Sequence, residues 1–598
     1  MLKAPAKTQM FPYLTSVKNF IKDSENPVSF SDTLEKRVNY SNWKKSAAVS
    51  NSEKTSWINS VCTYMRDVLI QCDPELAIGL EYCTERGENP HRVDMMIAGY
   101  NQDNKPCLII VELKQWSYVE KGQKKDSCLP KLYDEKTKTY KPFGDELKIP
   151  ALTLCEIISQ IKKHNNFFDK IKITPVIYAH NMEKENDHLD LAKGCDSTIV
   201  FYKDQSDEFI ELIKNTFYNE KNYKDHKQVF SELRNGYEFI ALDNIAGIFT
   251  EKEDGKDVPE PYEKMESYLR PDQSYILKEL QDHILSREKH IDIIYGGPGS
   301  GKTLIAMMLR RWIRIHNDSQ TDEGNKFRCM LIYEGSAPAN KIRDKIDELG
   351  AKRIGYYHAS EMWNKANGSD KFNCMIFDEF HRYQIRKTNE MEETIREIDG
   401  TVVLLLDEKQ ELSESDAGAK YLKDNLLTLE QLFSDRKINS YSLRSQFRCN
   451  QDDGYVFWVE QKLRMNDLDF IRREDLDFEP EIVDRTEVER IIQEAKKGND
   501  WLVMSTKKKN IEDLSIDYFK GKHGLVSPGG EAAQWFDVQG IEYENVLVII
   551  GDDLKFSDLN NDRKINEKQK YRMLLTRGLK KCAVYCKDDL LRQHFLKG

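Results

Sequence analysis

The feature that most restricts the fold is the form of the apolar runs in the second half of the chain. IDIIYGG, CMLIYEG, CMIFDE, VVLLLDE, LVMST, VLVIIGD and CAVYCKD are short, unbroken and separated by helix-like segments. A strand that alternates polar and apolar residues has one wet face, whereas a continuous apolar strand has none, so each run needs cover on both sides. The intervening helices supply it, and the pattern predicts an α/β fold on parallel sheets. At 598 residues, and with about 150 residues per domain as a soft prior, several units are expected. The longest apolar runs, such as Leu304–Leu309, Val402–Leu406 and Val546–Ile550, fall far short of the ~18 residues that cross a bilayer, so no membrane segment is expected. MLKAPAKTQMFPYLTS lacks the apolar stretch of a secretory signal, and the expectation is a cytoplasmic chain whose 12 cysteines, none in CxxC spacing, stay reduced.

Charge narrows the function classes. Lys and Arg total 90 against 101 Asp and Glu, and the net charge of −11 argues against coating nucleic acid by bulk attraction. A local basic groove is compatible with that sum. The first fifty residues are polar, lack sustained periodicity and read as an extension. Residues 51–249 read as a first domain with a lysine-rich insertion at 119–148, residues 250–268 as a charged linker, and residues 269–440 and 441–598 as two lobes.

Gly296-Gly-Pro-Gly-Ser-Gly301-Lys302-Thr303 directly follows the strand-like IDIIY and directly precedes the helix-like TLIAMMLRRWIRI. Phosphate binding requires that order. Glycines, Gly299 among them, let backbone N–H groups wrap the phosphates, the helix N-terminus adds positive potential, Lys302 reaches the β and γ oxygens, and the Thr303 hydroxyl suits Mg²⁺. CMIFDEF supplies the acids such a site needs, with Asp378 to hold Mg²⁺ and Glu379 to activate the attacking water.

These residues resemble a superfamily 1 helicase, specifically the bacterial Schlafen-like DNA/RNA helicases, over about residues 269–598. LRPDQ, DEFHR, LLLDEKQ, LRSQFRC, VQGIEYENVLVIIG and YRMLLTRG carry the resemblance in order. It implies two RecA-like parallel-sheet lobes with ATP between them, Gln273 at the adenine, Gln410 as a sensor, Arg448 at the γ-phosphate, Glu542 at the ribose and Arg577 as the arginine finger. Little room is left for large inserted subdomains, which suits a minimal motor, a translocase or an ATP-gated clamp. Trp363, Phe380 and Trp535 are of base-stacking type, although each suits a core better.

Earlier in the chain, period two places Leu108, Ile110, Glu112 and Lys114 of CLIIVELKQW on one strand face. Asp94, eighteen positions before Glu112 in RVDMMIAGY, fits an adjacent antiparallel strand joined through NQDNKP. This D…ExK pattern resembles the PD-(D/E)XK nuclease superfamily, with Val93 at the proline position. The resemblance implies a restriction-endonuclease-like α/β fold in which Asp94 and Glu112 bind Mg²⁺ or Mn²⁺ and Lys114 positions or deprotonates the water or stabilises charge. Glu53, on the helical stripe of Trp57, Val61, Tyr64, Met65 and Val68, is a candidate helical acid, and Glu81 is a rival or additional ligand. Gln160 matches a glutamine of recombination-type members, although His164 stands where a tyrosine is expected.

Together the segments read as an ATP-dependent nuclease–helicase, favouring DNA over RNA, with ATP and Mg²⁺ as cofactors, Mn²⁺ possible at the nuclease site, and no membrane partner. The layout resembles bacterial nuclease–helicase immunity proteins, which implies defence against phage. Two alternatives stay open: a repair or recombination enzyme with the same activities, and an ATP-switched nucleic-acid sensor whose nuclease fold only binds.

Overall fold

A computed structural model describes residues 12–41, 49–83, 92–124, 126–134, 136–142, 148–163, 171–218, 220–235, 250–253, 256–259, 269, 271–333, 355–358, 372–383, 388–410, 416, 418–419, 421–422, 430–443, 448–449, 452–466, 471–497, 501–510, 514, 532–534 and 543–597. The chain divides into two compact units, Ala6–Phe239 and Ile240–Gly598, each described by itself. Among the described residues, no helix is long and apolar enough to cross a membrane.

The strands of the first unit are β1 (Tyr13–Ser16), β2 (Ala77–Cys83), β3 (Arg92–Tyr100), β4 (Pro106–Leu113), β5 (Tyr118–Lys121), β6 (Cys128–Asp134), β7 (Thr139–Pro142), β8 (Lys172–Ala179) and β9 (Ile199–Tyr202). Six of them form a mixed sheet in the order β1-β2-β3-β4-β8-β9, antiparallel as far as β4 and parallel beyond it. Both faces are covered, which is why β4 reads as an apolar run. Leu108 and Ile110 pack with Met96 and Ala98 against Leu154 of α5 (Pro150–Lys163) and Phe230 of α7 (Tyr223–Asn235). Ile109 and Val111 join a second cluster with Phe20 of α1 (Val17–Asp23), Phe30 of α2 (Pro27–Ser41) and Phe209 of α6 (Ser206–Thr216). A nearly unbroken helical stretch runs through α3 (Asn51–Ser56), a π-helical segment (Trp57–Met65) and α4 (Arg66–Leu69).

Three features differ from the sequence expectations. Residues 13–41, read as part of an extension, pair with β2 through β1 and bury Val17, Phe20, Phe30 and Leu34 in the second cluster. The charged linker contains an antiparallel pair, β10 (Thr250–Glu253) with β11 (Lys256–Pro259). Cys155 and Cys195 form a disulfide across 40 positions, where all thiols were expected to be reduced. A scan for close spacing cannot see a bond made by tertiary folding.

In the second unit, β12 (His290–Gly296), β13 (Cys329–Tyr333), β14 (Gly355–His358), β15 (Cys374–Asp378), β16 (Thr401–Leu406) and β17 (Lys437–Leu443) form a sheet in the order β14-β13-β15-β16-β12-β17. A second sheet has the order β18-β22-β21-β19-β20, from β18 (Glu481–Ile482), β19 (Trp501–Ser505), β20 (Ala532–Gln534), β21 (Tyr543–Ile550) and β22 (Gly578–Cys586). Every pairing in both sheets is parallel, as the continuous apolar runs predicted. The helices used below are α8 (Pro271–Ser286), α9 (Lys302–Ser319), α10 (Thr388–Glu397), α11 (Asp453–Lys462), α12 (Arg485–Lys496) and α13 (Ile565–Leu575). Strand β17 runs past residue 440, so the first sheet ends three residues later than the sequence boundary.

A buried polar cluster fixes α13 to the second sheet. Tyr571 is fully buried; its hydroxyl donates to Asp553 Oδ1 at 2.7 Å and accepts from Gly551 N and Asn510 Nδ2, each at 3.1 Å. Tyr571→Phe keeps the ring and strands these partners, so it should destabilise the protein by about 1–3 kcal/mol in denaturant unfolding. A change within experimental error would show that the cluster does not hold the helix.

Candidate active sites

The glycine-rich segment joins β12 to α9 and needs glycine at two points. Gly299 and Gly301 have φ of 75° and 83°, the left-handed region that a Cβ disfavours, and Gly301 is the residue before the helix. Lys302 is buried and donates from Nζ to Gly296 O at 2.8 Å and Gly297 O at 3.1 Å, folded back onto its own loop. Thr303 Oγ1 donates to Asp378 Oδ2 at 2.8 Å, so hydroxyl and carboxylate meet beside the helix N-terminus. Burial, reinforced by the charge of Glu379, pushes Asp378 up to about 6. A hydroxyl and a buried carboxylate side by side are hard oxygen donors of the kind that would hold Mg²⁺.

Glu379 stands in a left-handed conformation with φ of 57°, a strained position for a residue with a side chain. Burial opposes its charge, but His381, Lys302 and Arg382 outweigh burial and hold its carboxyl well below the usual range. His381 is fully buried, and its Nδ1 accepts from Asp407 N at 3.2 Å. The ring proton therefore sits on Nε2, 3.1 Å from Glu379 Oε2 and off hydrogen-bond alignment, so the attraction is chiefly electrostatic.

The second lobe reaches this site through a residue that sequence reading passed over. Arg572, on α13, donates from Nη1 to Asp407 Oδ2 and from Nε to Glu460 Oε1, both at 2.8 Å, and Lys409 also pairs with Glu460. Arg572, Asp407 and Glu460 are all buried. A Cβ built on Gly297 would lie 3.5 Å from Arg572 Nη2, so the guanidinium faces the phosphate loop. Its only sequence signal is a place five residues before Arg577 in YRMLLTRG.

The remaining expectations divide. Gln273 is buried and its Nε2 donates to Ser300 O at 2.9 Å, which braces the phosphate loop from α8. Gln410 is buried, with its backbone N–H on Asp407 O, while Arg577 is buried and Arg448 half-buried. Phe380 is a core residue rather than a base platform: it is fully buried and stacks on Tyr383 at 5.8 Å. Glu542, Trp363, Trp535, His164 and the side chain of Gln160 lie outside the described residues.

In the first unit, the register Met95↔Val111 sets Asp94 across from Glu112. Asp94 Oδ2 accepts from Leu113 N at 2.7 Å, Lys114 Nζ lies 3.0 Å from Glu112 Oε1, and Glu112 Oε2 is buried with no hydrogen-bond partner. Burial, and then the charges of Glu112 and Glu81, raise Asp94 well above the ordinary range. A buried carboxyl crowded by other acids, beside an orphaned carboxylate oxygen, suits a divalent cation, whose charge would offset both penalties. Lys114 Nζ also lies 4.7 Å over the Trp116 ring.

Glu81 and Glu53 are engaged with other groups. Glu81 is left-handed at φ 57° within β2; it accepts from Trp57 Nε1 at 2.6 Å and from Arg92 Nη1 at 3.0 Å. Glu53 closes a capping box with Ser50 at the start of α3 and also pairs with Arg92.

Residues 289–524 match the family described as Schlafen group 3, DNA/RNA helicase domain. That segment is similar to a Schlafen-type helicase domain. It contains the phosphate loop, Asp378, Glu379, Asp407, Gln410 and Arg448, and it is under half of the chain. No curated protein matches the chain. Among solved structures, the crystal structure of Pif1 helicase from Candida albicans aligns at 10% identity over 55% of this chain and 96% of that one, with a TM-score of 0.29. A superposition that loose carries no argument.

Arg572→Ala would leave Asp407 and Glu460 buried without their shared cation and should destabilise the protein by about 3–5 kcal/mol. Arg572→Lys restores a charge without the two-pronged geometry and should recover only part of that loss. Equal stability of all three proteins in chemical denaturation would remove the lobe-bridging role.

Proposed function

We propose that the chain is an ATP-driven motor on nucleic acid fused to a metal-dependent nuclease, acting on DNA in preference to RNA. The observation that carries the motor is the convergence of Lys302, Thr303, Asp378 and Glu379 with an arginine from the second lobe, in a segment similar to a helicase domain. Nucleotide would draw Lys302 off the loop carbonyls and onto the β and γ oxygens, and Thr303 and Asp378 would hold Mg²⁺, which supplies charge neutralisation at those oxygens. Glu379, kept ionised, is a weak proton acceptor; its contribution is to orient and polarise the attacking water. Arg572, Arg448 and Arg577 are the cations we assign to sensing the γ-phosphate, so that hydrolysis changes the contact between lobes.

The nuclease reading rests on Asp94, Glu112 and Lys114 at one end of adjoining antiparallel strands, followed by α5 and the parallel strand β8. Asp94 and Glu112 would hold Mg²⁺ or Mn²⁺, which supplies an activated water and a partner for the leaving oxygen. Lys114, beside Glu112, would place that water or offset charge on the phosphodiester. Glu81, locked by Trp57 and Arg92, would act on the cation from behind Asp94. Phage defence is the biology we attach to this pairing, on the resemblance in layout.

Lys302→Ala should abolish ATP hydrolysis with the fold intact by circular dichroism; turnover within about twofold of wild type would remove the phosphate-site assignment. Asp94→Ala and Glu112→Ala should each eliminate cleavage across a scan of Mg²⁺ and Mn²⁺ on single-stranded, duplex and supercoiled DNA and on RNA. Both should leave strand-stimulated ATPase near normal. Cleavage unchanged in the two variants would refute the metal site, and no cleavage by wild type under any condition would favour a fold that only binds.

A further inference from the structure

The lysine-rich insertion forms a three-stranded antiparallel sheet of its own, β5-β6-β7. Alternation sorts its residues between two faces. Val119 and Cys128 are fully buried in the first core cluster, whereas Tyr118, Lys131, Tyr133 and Tyr140 share the other face. Their rings form a row: the Tyr133–Tyr140 and Tyr118–Tyr140 centroids are each 5.3 Å apart, and His188 extends it, 4.9 Å from Tyr118.

The row is open to solvent. Tyr133 and Tyr140 are 39% and 42% exposed; as directly opposed partners they steady the small sheet, and their outer ring surface stays open to a ligand. Lys131 Nζ lies 4.9 Å over the Tyr118 ring and 2.7 Å from Glu120. Residues 117–142 carry seven lysines against four acids, a local excess of positive charge in a chain of net charge −11. Hydrogen bonds tie the row to the segment that follows β4 and bears Lys114: Ser117 N donates to Lys131 O at 2.9 Å, and Tyr133 N donates to Ser117 Oγ at 3.2 Å. Tyr118 is four residues after Lys114, so at most ~14 Å of chain separates the first ring from the acid site.

We propose that this face is a stacking platform for single-stranded nucleic acid and delivers the strand to the acid site; the delivery rests on the nuclease reading above, the binding does not. Exposed bases offer the π-faces that a row of tyrosines accepts, and their backbone offers negative charge to Lys131 on that face and to the lysines of the adjoining turns. A duplex keeps its bases stacked on one another and cannot use the rings. An apolar peptide or a lipid surface would call for aliphatic side chains in place of the lysines.

The test uses the full chain in EDTA without ATP, with 5-iodouracil-bearing DNA oligonucleotides, ultraviolet irradiation and mass-spectrometric mapping of adducts. Single-stranded oligonucleotide should give adducts on peptides containing Tyr133 or Tyr140, and a duplex of the same sequence should give none there. Tyr133→Leu or Tyr140→Leu alone should raise the half-saturating concentration for the sheet adduct roughly 5- to 100-fold, as the loss of one base–ring stack implies. The double variant should abolish it, and Tyr140→Phe should retain it. Circular dichroism and ATPase activity verify that the variants fold. Adducts confined to peptides after residue 269, or undiminished in the double variant, would overturn the proposal. Because neither metal nor ATP is present, a cross-linked sheet in a chain that never cleaves would refute only the nuclease reading. Cleavage by a chain with no adduct in 117–142 would refute only the platform.

Discussion

The second unit depends on one guanidinium. Arg572 joins Asp407, at the end of the first sheet, to Glu460 on a helix of the second lobe, in a buried setting where removing either partner would leave an uncompensated charge. Parallel sheets expose the carboxyl ends of their strands, where loops can gather side chains, and Asp407 follows such an end, that of β16. The geometry demands arginine: two hydrogen bonds from different nitrogens of one planar group fix both distance and angle, which a lysine's single ammonium does not. The same group faces the glycine-rich loop, with Nη2 3.5 Å from where a Cβ on Gly297 would lie.

The first unit solves a different electrostatic problem. Its acids sit close together in a buried place, and only some are neutralised by side chains: Arg92 and Trp57 satisfy Glu81, Arg92 and Ser50 satisfy Glu53, and Lys114 satisfies one oxygen of Glu112. Asp94 and the second oxygen of Glu112 remain, across from one another on neighbouring strands. A folded core tolerates such a residue of negative charge only by holding a proton or a cation, and the choice between them depends on pH and on metal concentration.

What the sequence made legible were features with a local period or a fixed spacing. The continuous apolar runs marked the parallel strands, GxxxxGK[ST] marked the phosphate loop, and RVDMMIAGY with CLIIVELKQW marked an antiparallel pair whose turn length brought Asp94 near Glu112. What it concealed were contacts made by folding over long separations. Arg572 lies 165 positions from Asp407 and 112 from Glu460, and nothing local distinguishes it from a surface arginine. The Cys155–Cys195 bond spans 40 positions. The tyrosine row is assembled from three strands with one ring each, so no window of the sequence reads as aromatic. Phe380, whose type suits stacking but whose setting favoured a core, is in the core, enclosed by Phe377 and Tyr383.

Strand β17 has a mechanical consequence. It pairs in parallel with β12 from His290↔Lys437 to Gly296↔Leu443, and Leu443 lies beside the first glycine of the phosphate loop. A pull on the backbone along β17 loads all of its hydrogen bonds with β12 together, in shear, where a pull across a hairpin would break them one at a time. Any load along β17 thus enters the first sheet beside the glycine-rich loop and is borne by seven residue pairs at once.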